Sequence, residues 1–222
     1  MEIRTDFHKK LRAINSDVLF IGSMVEKAIL SSVKALKDRD LKLAEQIIAD
    51  DRNINAKRFE IENKCIQLIV TQQPMASDLR VIMAVANVIT ELERIGDYAE
   101  GIARIVLMIG NEPPLKPLVT IPRMADKTVD MLHRSLASFT NHDAEAARQI
   151  ATEDDEVDAL YDELYRVLIS FMLEDPKTIT RATRLIWVSH NLERAADRVT
   201  NICERVVFTV TGKMEEIGAS KY

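Results

Sequence analysis

Apolar residues recur at alternating steps of three and four along most of the chain, the period of an α-helix with one buried stripe. Between positions 82 and 106 that stripe is Ile82, Val85, Ile89, Leu92, Gly96, Ala99, Ala103 and Val106. The same beat runs through Ala147, Ile150, Asp154, Val157, Tyr161, Leu164, Leu168 and Phe171. No sustained segment alternates with period two, so strands are not expected. Pro113, Pro114, Pro117 and Pro122 interrupt the pattern in mid-chain, whereas Pro74 and Pro176 each stand between two helix-period segments, as in a hairpin turn. Polar clusters at Lys37-Asp38-Arg39-Asp40 and Thr140-Asn141-His142-Asp143 punctuate each half once more. The pattern predicts an all-α chain of six helices, built as two tandem three-helix bundles over residues 1–112 and 118–222.

The halves resemble each other. Leu92-Glu93-Arg94-Ile95-Gly96-Asp97 aligns with Leu192-Glu193-Arg194-Ala195-Ala196-Asp197, 100 positions later. Asp51-Arg52-Asn53-Ile54-Asn55 aligns with Asp154-Asp155-Glu156-Val157-Asp158 at an offset of 103, and the hairpin prolines correspond as well. A period this long indicates a duplicated domain rather than a solenoid unit.

Composition narrows the function. Only six Gly and six Pro in 222 residues argue against a turn-rich sheet protein. Thirty basic against thirty-five acidic side chains leave a net charge of -5, which excludes a surface built for nucleic acid phosphates. Cys65 and Cys203 form no CxxC pair, so neither a disulfide framework nor a thiolate zinc site is expected. No apolar run reaches the ~20 residues that cross a bilayer, and no signal-peptide core follows Met1-Glu2-Ile3-Arg4. A soluble protein of the reducing cytoplasm is expected.

The chemistry lies in carboxylates. Glu93 with Asp97, and Glu193 with Asp197, are spaced i, i+4, so each pair leaves one face of a helix. With 35 acids in the chain such pairs arise by chance, and a solvated charged face is the plain alternative to a metal site. Recurrence at one place in both halves favours the site. Asp51 adds a second argument, because it falls on the stripe Ala44, Ile47, Asp51, Ile54, Ile61, Cys65, Leu68, where Asp154 also stands in the other half. A carboxylate on a buried stripe is costly without a cation or hydrogen-bond donors beside it. Two alternatives stay open: that Asp50-Asp51 and Asp154-Asp155 cap a helix restart, or that Asp51 meets Arg58 at the bundle edge. On the metal reading Glu93 and Asp97 meet Asp51, and Glu193 and Asp197 meet Asp154 and Asp158. Oxygen ligands without thiolate or imidazole suit Mg²⁺, Mn²⁺, Ca²⁺ or iron.

Catalysis has little support. Asp130-xx-His133 is the one acid-xx-His spacing, so the paired Glu-xx-His ligands of di-iron oxidases are missing, and no Gly-rich phosphate loop or nucleophile elbow occurs. The histidines are read as surface or cap residues, Trp187 and Tyr161 as core. A carboxylate-bridged metalloenzyme acting on phosphate or oxygen is the alternative.

At these residues the chain resembles the PhoU family. The resemblance spans both repeats: Gln73-Pro74-xxx-Asp78-Leu79-Arg80 ahead of Leu92-Glu93-Arg94-Ile95-Gly96-Asp97-Tyr98-Ala99, and Asn191-Leu192-Glu193-Arg194-xx-Asp197-xxx-Asn201-Ile202. It implies a pair of three-helix bundles, frequently dimeric, that binds metal ions or clusters, iron or manganese first, with Mg²⁺, Ca²⁺ and Zn²⁺ as other candidates. It also implies negative control of the phosphate-starvation regulon through a PstB-type transporter ATPase and a PhoR-type sensor histidine kinase, with peripheral association at membrane complexes. By the same resemblance Asp51, Glu93 and Asp97 form the first metal motif, and Asp154, Asp158, Glu193, Asp197 and Asn201 the second. The chain departs from the pattern at Asn55, opposite Asp158, at Gly101, opposite Asn201, and at Ala195-Ala196 in place of Ile-Gly.

Overall fold

Asp40 and Asp143 begin corresponding helices in the same way. Each aspartate accepts a hydrogen bond from the backbone N–H three residues on, Leu43 and Ala146 respectively, both at 3.0 Å. The residue before each of them, Arg39 or His142, takes a left-handed conformation, and the aspartate N–H reaches back five residues to Ala35 or Ser138. The polar clusters seen in the sequence are therefore paired stop and start signals. The computed structural model describes residues 2–217, and among these the regular elements are all helical. They are α1 (Glu2–Asp38), α2 (Leu41–Gln72), α3 (Ser77–Ile109), α4 (Thr120–Asn141), α5 (Ala144–Thr152), α6 (Asp154–Glu174) and α7 (Ile179–Thr211), with a 3₁₀ turn at Pro176–Thr178 before α7.

The expected count of six becomes seven because the middle helix of the second half breaks at Glu153, while α2 runs unbroken through the matching Asp50-Asp51. The cause lies outside that helix. Glu153 accepts from Arg134 Nη1 at 2.8 Å, meets Nη2 of the same guanidinium, and binds Lys127 Nζ at 2.7 Å, both partners standing on α4. Glu153 takes an N–H···O bond back to Ile150, and Glu156 one back to Glu153, so the chain tightens by one residue there and restarts at Asp154. The helix thus restarts at Asp154, but Glu153 stands at the cap position with no side-chain cap bond, so Asp154-Asp155 do not cap it, and at Asp50-Asp51 there is no restart.

α3 and α7 are the most buried helices. Ile82, Val88, Leu92, Ile95 and Ile102 of α3, like Val188, Leu192, Val199 and Ile202 of α7, are almost fully enclosed. α1 and α2 pack on α3, and α4, α5 and α6 pack on α7; the two halves join where α3 lies on α7 and α1 on α4. Asn201 of α7 donates to Glu91 of α3 at 3.2 Å, and Gly101 of α3 lies against Asn191 of α7. The sums of the paired numbers are equal (91 + 201 and 101 + 191), so the helices run antiparallel. Adding 100 converts one pair into the other, so the contact has approximate twofold symmetry at the level of Gly96 and Ala196. Trp187, expected in the core, is instead 49% exposed: it falls between the buried positions Leu185 and Val188.

The ion pairs with Arg134 and Lys127 hold the Glu153 carboxyl down at about 2, with burial opposing them. Its stabilising effect is present above the unfolded value of 4.5 and is lost as pH falls through about 2. Urea melts should show Glu153→Gln losing about 1–2 kcal/mol at pH 7, discounted for partial exposure of Arg134, and less than the wild type loses on going to pH 3.

Candidate metal centres

The first cluster forms where α2 faces α3. Asp51 is only 9% exposed; Asn55, one turn on, donates to its Oδ2 at 2.8 Å, and its Oδ1 has no hydrogen-bond partner. Arg58, the alternative partner, is engaged elsewhere, 3.7 Å from Glu62 and stacked on Phe59. Gly96 is what brings α3 close: a Cβ there would stand 3.2 Å from Ile54 and 3.6 Å from Asp51 Oδ1. Burial, then Glu100 and Glu93, push the Asp51 carboxyl above its ordinary range. Asp97 lies on the exposed side of α3, yet desolvation of its carboxyl, followed by Glu93, Asp51 and Glu100, pushes it up to about 6. Glu93, Asp97 and Glu100 thus lie near enough to Asp51 for like charges to act on one another. A cavity of about 290 Å³ opens beside Asp51, lined also by Lys27, Gln46 and Asn53.

The second cluster is its counterpart between α6 and α7. Asp154 sits in the first turn of α6, half-buried, with Oδ1 unpartnered. Burial, then Asp158, Asp197 and Glu193, push it up to about 7. Glu193 reaches about 7 through burial and then Asp197, with Asp158 adding to it and Arg194 opposing. Arg194 Nη1 donates to Asp197 Oδ2. His190 Nδ1 stands 3.2 Å from Glu193 Oε2. Burial and Arg194 lower the His190 pKa, which favours its neutral, ligand-competent form.

Asn201 lies apart from these acids in its hydrogen bonding. Its amide serves Glu91 across the α3/α7 contact, where Arg198 also approaches Glu91 at 3.5 Å. Two residues beside the clusters escaped the sequence reading although the signal was there: Glu100 is i+7 from Glu93 and i+3 from Asp97, and His190 precedes Glu193 by three. His142, read as a cap, does end α4.

Among the described residues no three Asp, Glu, His or Cys side chains stand close enough to enclose one ion. The clusters are nonetheless oxygen-rich, hold three buried carboxylate oxygens with no hydrogen-bond partner (Asp51 Oδ1, Asp154 Oδ1 and Glu193 Oε2), and repel internally, which is the electrostatic condition a divalent cation relieves.

A duplicated all-helical bundle with one acidic cluster per repeat is thus the class that fold and site define. Residues 18–106 and 121–206 match the PhoU domain, and the chain belongs to the PhoU family. It is 35% identical over 211 residues to the phosphate-specific transport system accessory protein PhoU of Escherichia coli, covering 95% of this chain and 88% of that one. A Clostridium acetobutylicum homolog of that protein is 36% identical over 215 residues, 96% of this chain and 98% of its own. Among solved structures, the phosphate transport system regulatory protein PhoU from Streptococcus pneumoniae superposes with a TM-score of 0.88 at 31% identity, covering 94% of this chain and 99% of that one. PhoU from Pseudomonas aeruginosa gives 0.88 at 34%, covering 93% and 100%.

A carboxyl whose pKa is higher in the folded state stabilises the fold while protonated; that stability is lost as pH rises from about 4, the unfolded value, through the folded one. For Asp154 and Glu193 the folded value is about 7. Metal-free protein should therefore be less stable at pH 8 than at pH 5.5. Asp154→Asn should recover about 1–2 kcal/mol at pH 8 and flatten the slope, as read by urea melts in chelator.

Proposed function

We propose that the chain is a metal-binding regulatory accessory protein of a phosphate-specific transport system rather than an enzyme. One observation carries this reading: nearly the whole chain aligns with relatives named as accessory or regulatory proteins of phosphate transport. On this reading it works in the cytoplasm, peripheral to the membrane; none of the described helices is long and apolar enough to cross one. It meets a PstB-type ATPase and a PhoR-type sensor histidine kinase, acts as a homodimer, and keeps phosphate-starvation genes repressed when phosphate is plentiful. Its exposed methionines, Met75, Met83 and Met108 among them, suit a surface that adapts to more than one partner.

The two clusters are the proposed metal sites, with Asp51, Glu93 and Asp97 holding metal in the first half and Asp154, Asp158, Glu193, Asp197 and Asn201 in the second. Their donor set favours iron or manganese, with Mg²⁺, Ca²⁺ or Zn²⁺ as alternatives. A bound cation would supply positive charge where the acids repel one another, coupling metal status to the packing of α2 on α3 and of α6 on α7.

A metalloenzyme is the competing reading, favoured by one observation: two carboxyls poised near 7 are also what acid–base catalysis uses. Turnover by the pure protein that vanishes in both Glu93→Ala and Glu193→Ala would decide for it.

Deletion of the gene should leave phosphate-starvation genes expressed in phosphate-rich medium, measured by a reporter; continued repression refutes the regulatory role. Protein purified without chelator should carry metal by elemental analysis and melt about 5 °C or more above its metal-free form, a difference absent from an Asp51→Asn, Glu93→Gln, Asp97→Asn variant altered also at Asp154→Asn and Glu193→Gln.

A further inference from the structure

We infer that α6 and the adjoining turn of α7 form a docking face for a protein partner, and that the partner supplies an arginine side chain to it. The inference goes beyond the regulatory reading and does not depend on metal in either cluster. On α6, Asp158, Tyr161, Asp162 and Tyr165 follow one another at steps of three, one and three, so acids and rings share a single helix face. The Tyr161 ring lies 6.1 Å from that of Tyr165 and 6.1 Å from that of His190 on α7. His190 in turn stands beside Glu193, and Trp187 is one turn before it. Tyr165, Trp187 and His190 are exposed, whereas Tyr161 packs partly on the core. Exposed rings set among carboxylates match a guanidinium, which stacks on the rings while it donates hydrogen bonds to the acids.

The other half of the duplication shows what belongs there. The offset of 103 that aligns Asp51 with Asp154 places Arg58 opposite Tyr161 and Glu62 opposite Tyr165. The offset of 100 places Asn87 and Thr90 opposite Trp187 and His190. At this level the first half holds its own arginine, with the Arg58 guanidinium 4.9 Å from the centre of the Phe59 ring and 3.7 Å from Glu62. Asn87 and Thr90 donate back to backbone oxygens of α3. The second half has rings and acids at these positions and no cation of its own.

Charge follows the same division. α2 carries five acids and five bases, whereas α6 carries seven acids and a single base, Arg166. Lys127 on α4 answers Glu156, yet the acid excess of α6 is at least as large as the net charge of the whole chain, -5. Such a face repels phosphates and draws a basic segment toward it. A lysine would satisfy the charge but not the rings, because its ammonium neither stacks nor presents a planar fork of donors.

The test is binding of a fluorescein-labelled arginine peptide, and of a lysine peptide of equal charge and length, to full-length protein in chelator. Binding is followed by anisotropy and by the emission of Trp187, the chain's single tryptophan. The arginine peptide should saturate, shift the Trp187 emission, and bind about fivefold tighter than the lysine peptide. Tyr165→Ala, at an exposed position that leaves the core intact, should weaken it about fivefold. Tyr161→Arg, which gives the second half the cation that the first half has, should weaken it about tenfold. Glu163→Gln shifts the net charge by the same amount from another side of α6 and should cost no more than about twofold. Circular dichroism melts control for folding. Equal binding of the two peptides, an unmoved Trp187 emission, or a loss in Glu163→Gln as large as in Tyr161→Arg reduces the face to non-specific attraction and overturns the proposal. Self-association that Tyr165→Ala abolishes, seen by sedimentation, puts a second copy in the partner's place and overturns it too.

Discussion

Because α3 and α7 are enclosed by their own halves and also by each other, each has only a narrow strip of surface free of apolar contact. On α3 that strip holds Glu93, Asp97 and Glu100; on α7 it holds Glu193 and Asp197. Those carboxylates are therefore set on the two most buried helices, and α2 and α6 bring their partners up against them. A site positioned by core helices keeps its geometry better than one built on loops. Disturbing the acids should in turn be felt where the helix pairs pack.

Two electrostatic groups act on the second half with opposite sign. Glu153, paired with Arg134 and Lys127, stabilises as an anion. One residue later Asp154, facing Asp158, Asp197 and Glu193, stabilises only when protonated or screened. The break at Glu153 separates these roles: it sends one carboxylate to α4 and leaves the next in the cluster. The first half has no such division, since Asp50 faces solvent, bonded to Gln46 and Asn53, and α2 stays straight. The halves share a plan but differ in how much strain the acids meet.

Helix extent, the turns and the duplication were legible in the sequence, because each rests on short-range signals: prolines, Asp caps and stripes of period 3.6. The site was legible as far as Asp51 and Asp154 broke an apolar stripe. What stayed hidden depends on other elements. The break at Glu153 needs Arg134 and Lys127 from α4, which no local pattern connects to it. The bond from the Asn201 amide to Glu91 joins the two halves, and no local pattern connects those residues. Trp187 was misjudged on size, although its phase between Leu185 and Val188 already put it outside. Glu100 and His190 were within reach, since helical spacing alone joins them to Asp97 and Glu193.

The antiparallel pairing of α3 with α7 also has a consequence for mass action. Two copies of one repeat meeting through that contact would form a twofold dimer, and dilution would separate them. Here residues 110–119 tie the repeats into one chain, with Leu115 and Leu118 packed against the core. A short tether holds its ends at an effective concentration in the millimolar range. The contact thus needs little affinity of its own, and it can carry polar groups such as Glu91, Arg198 and Asn201 that a freely dissociating interface would be selected to remove. Covalent joining also releases the two repeats from being identical, which is what lets one cluster keep a carboxylate at position 100 while the other keeps one at 158.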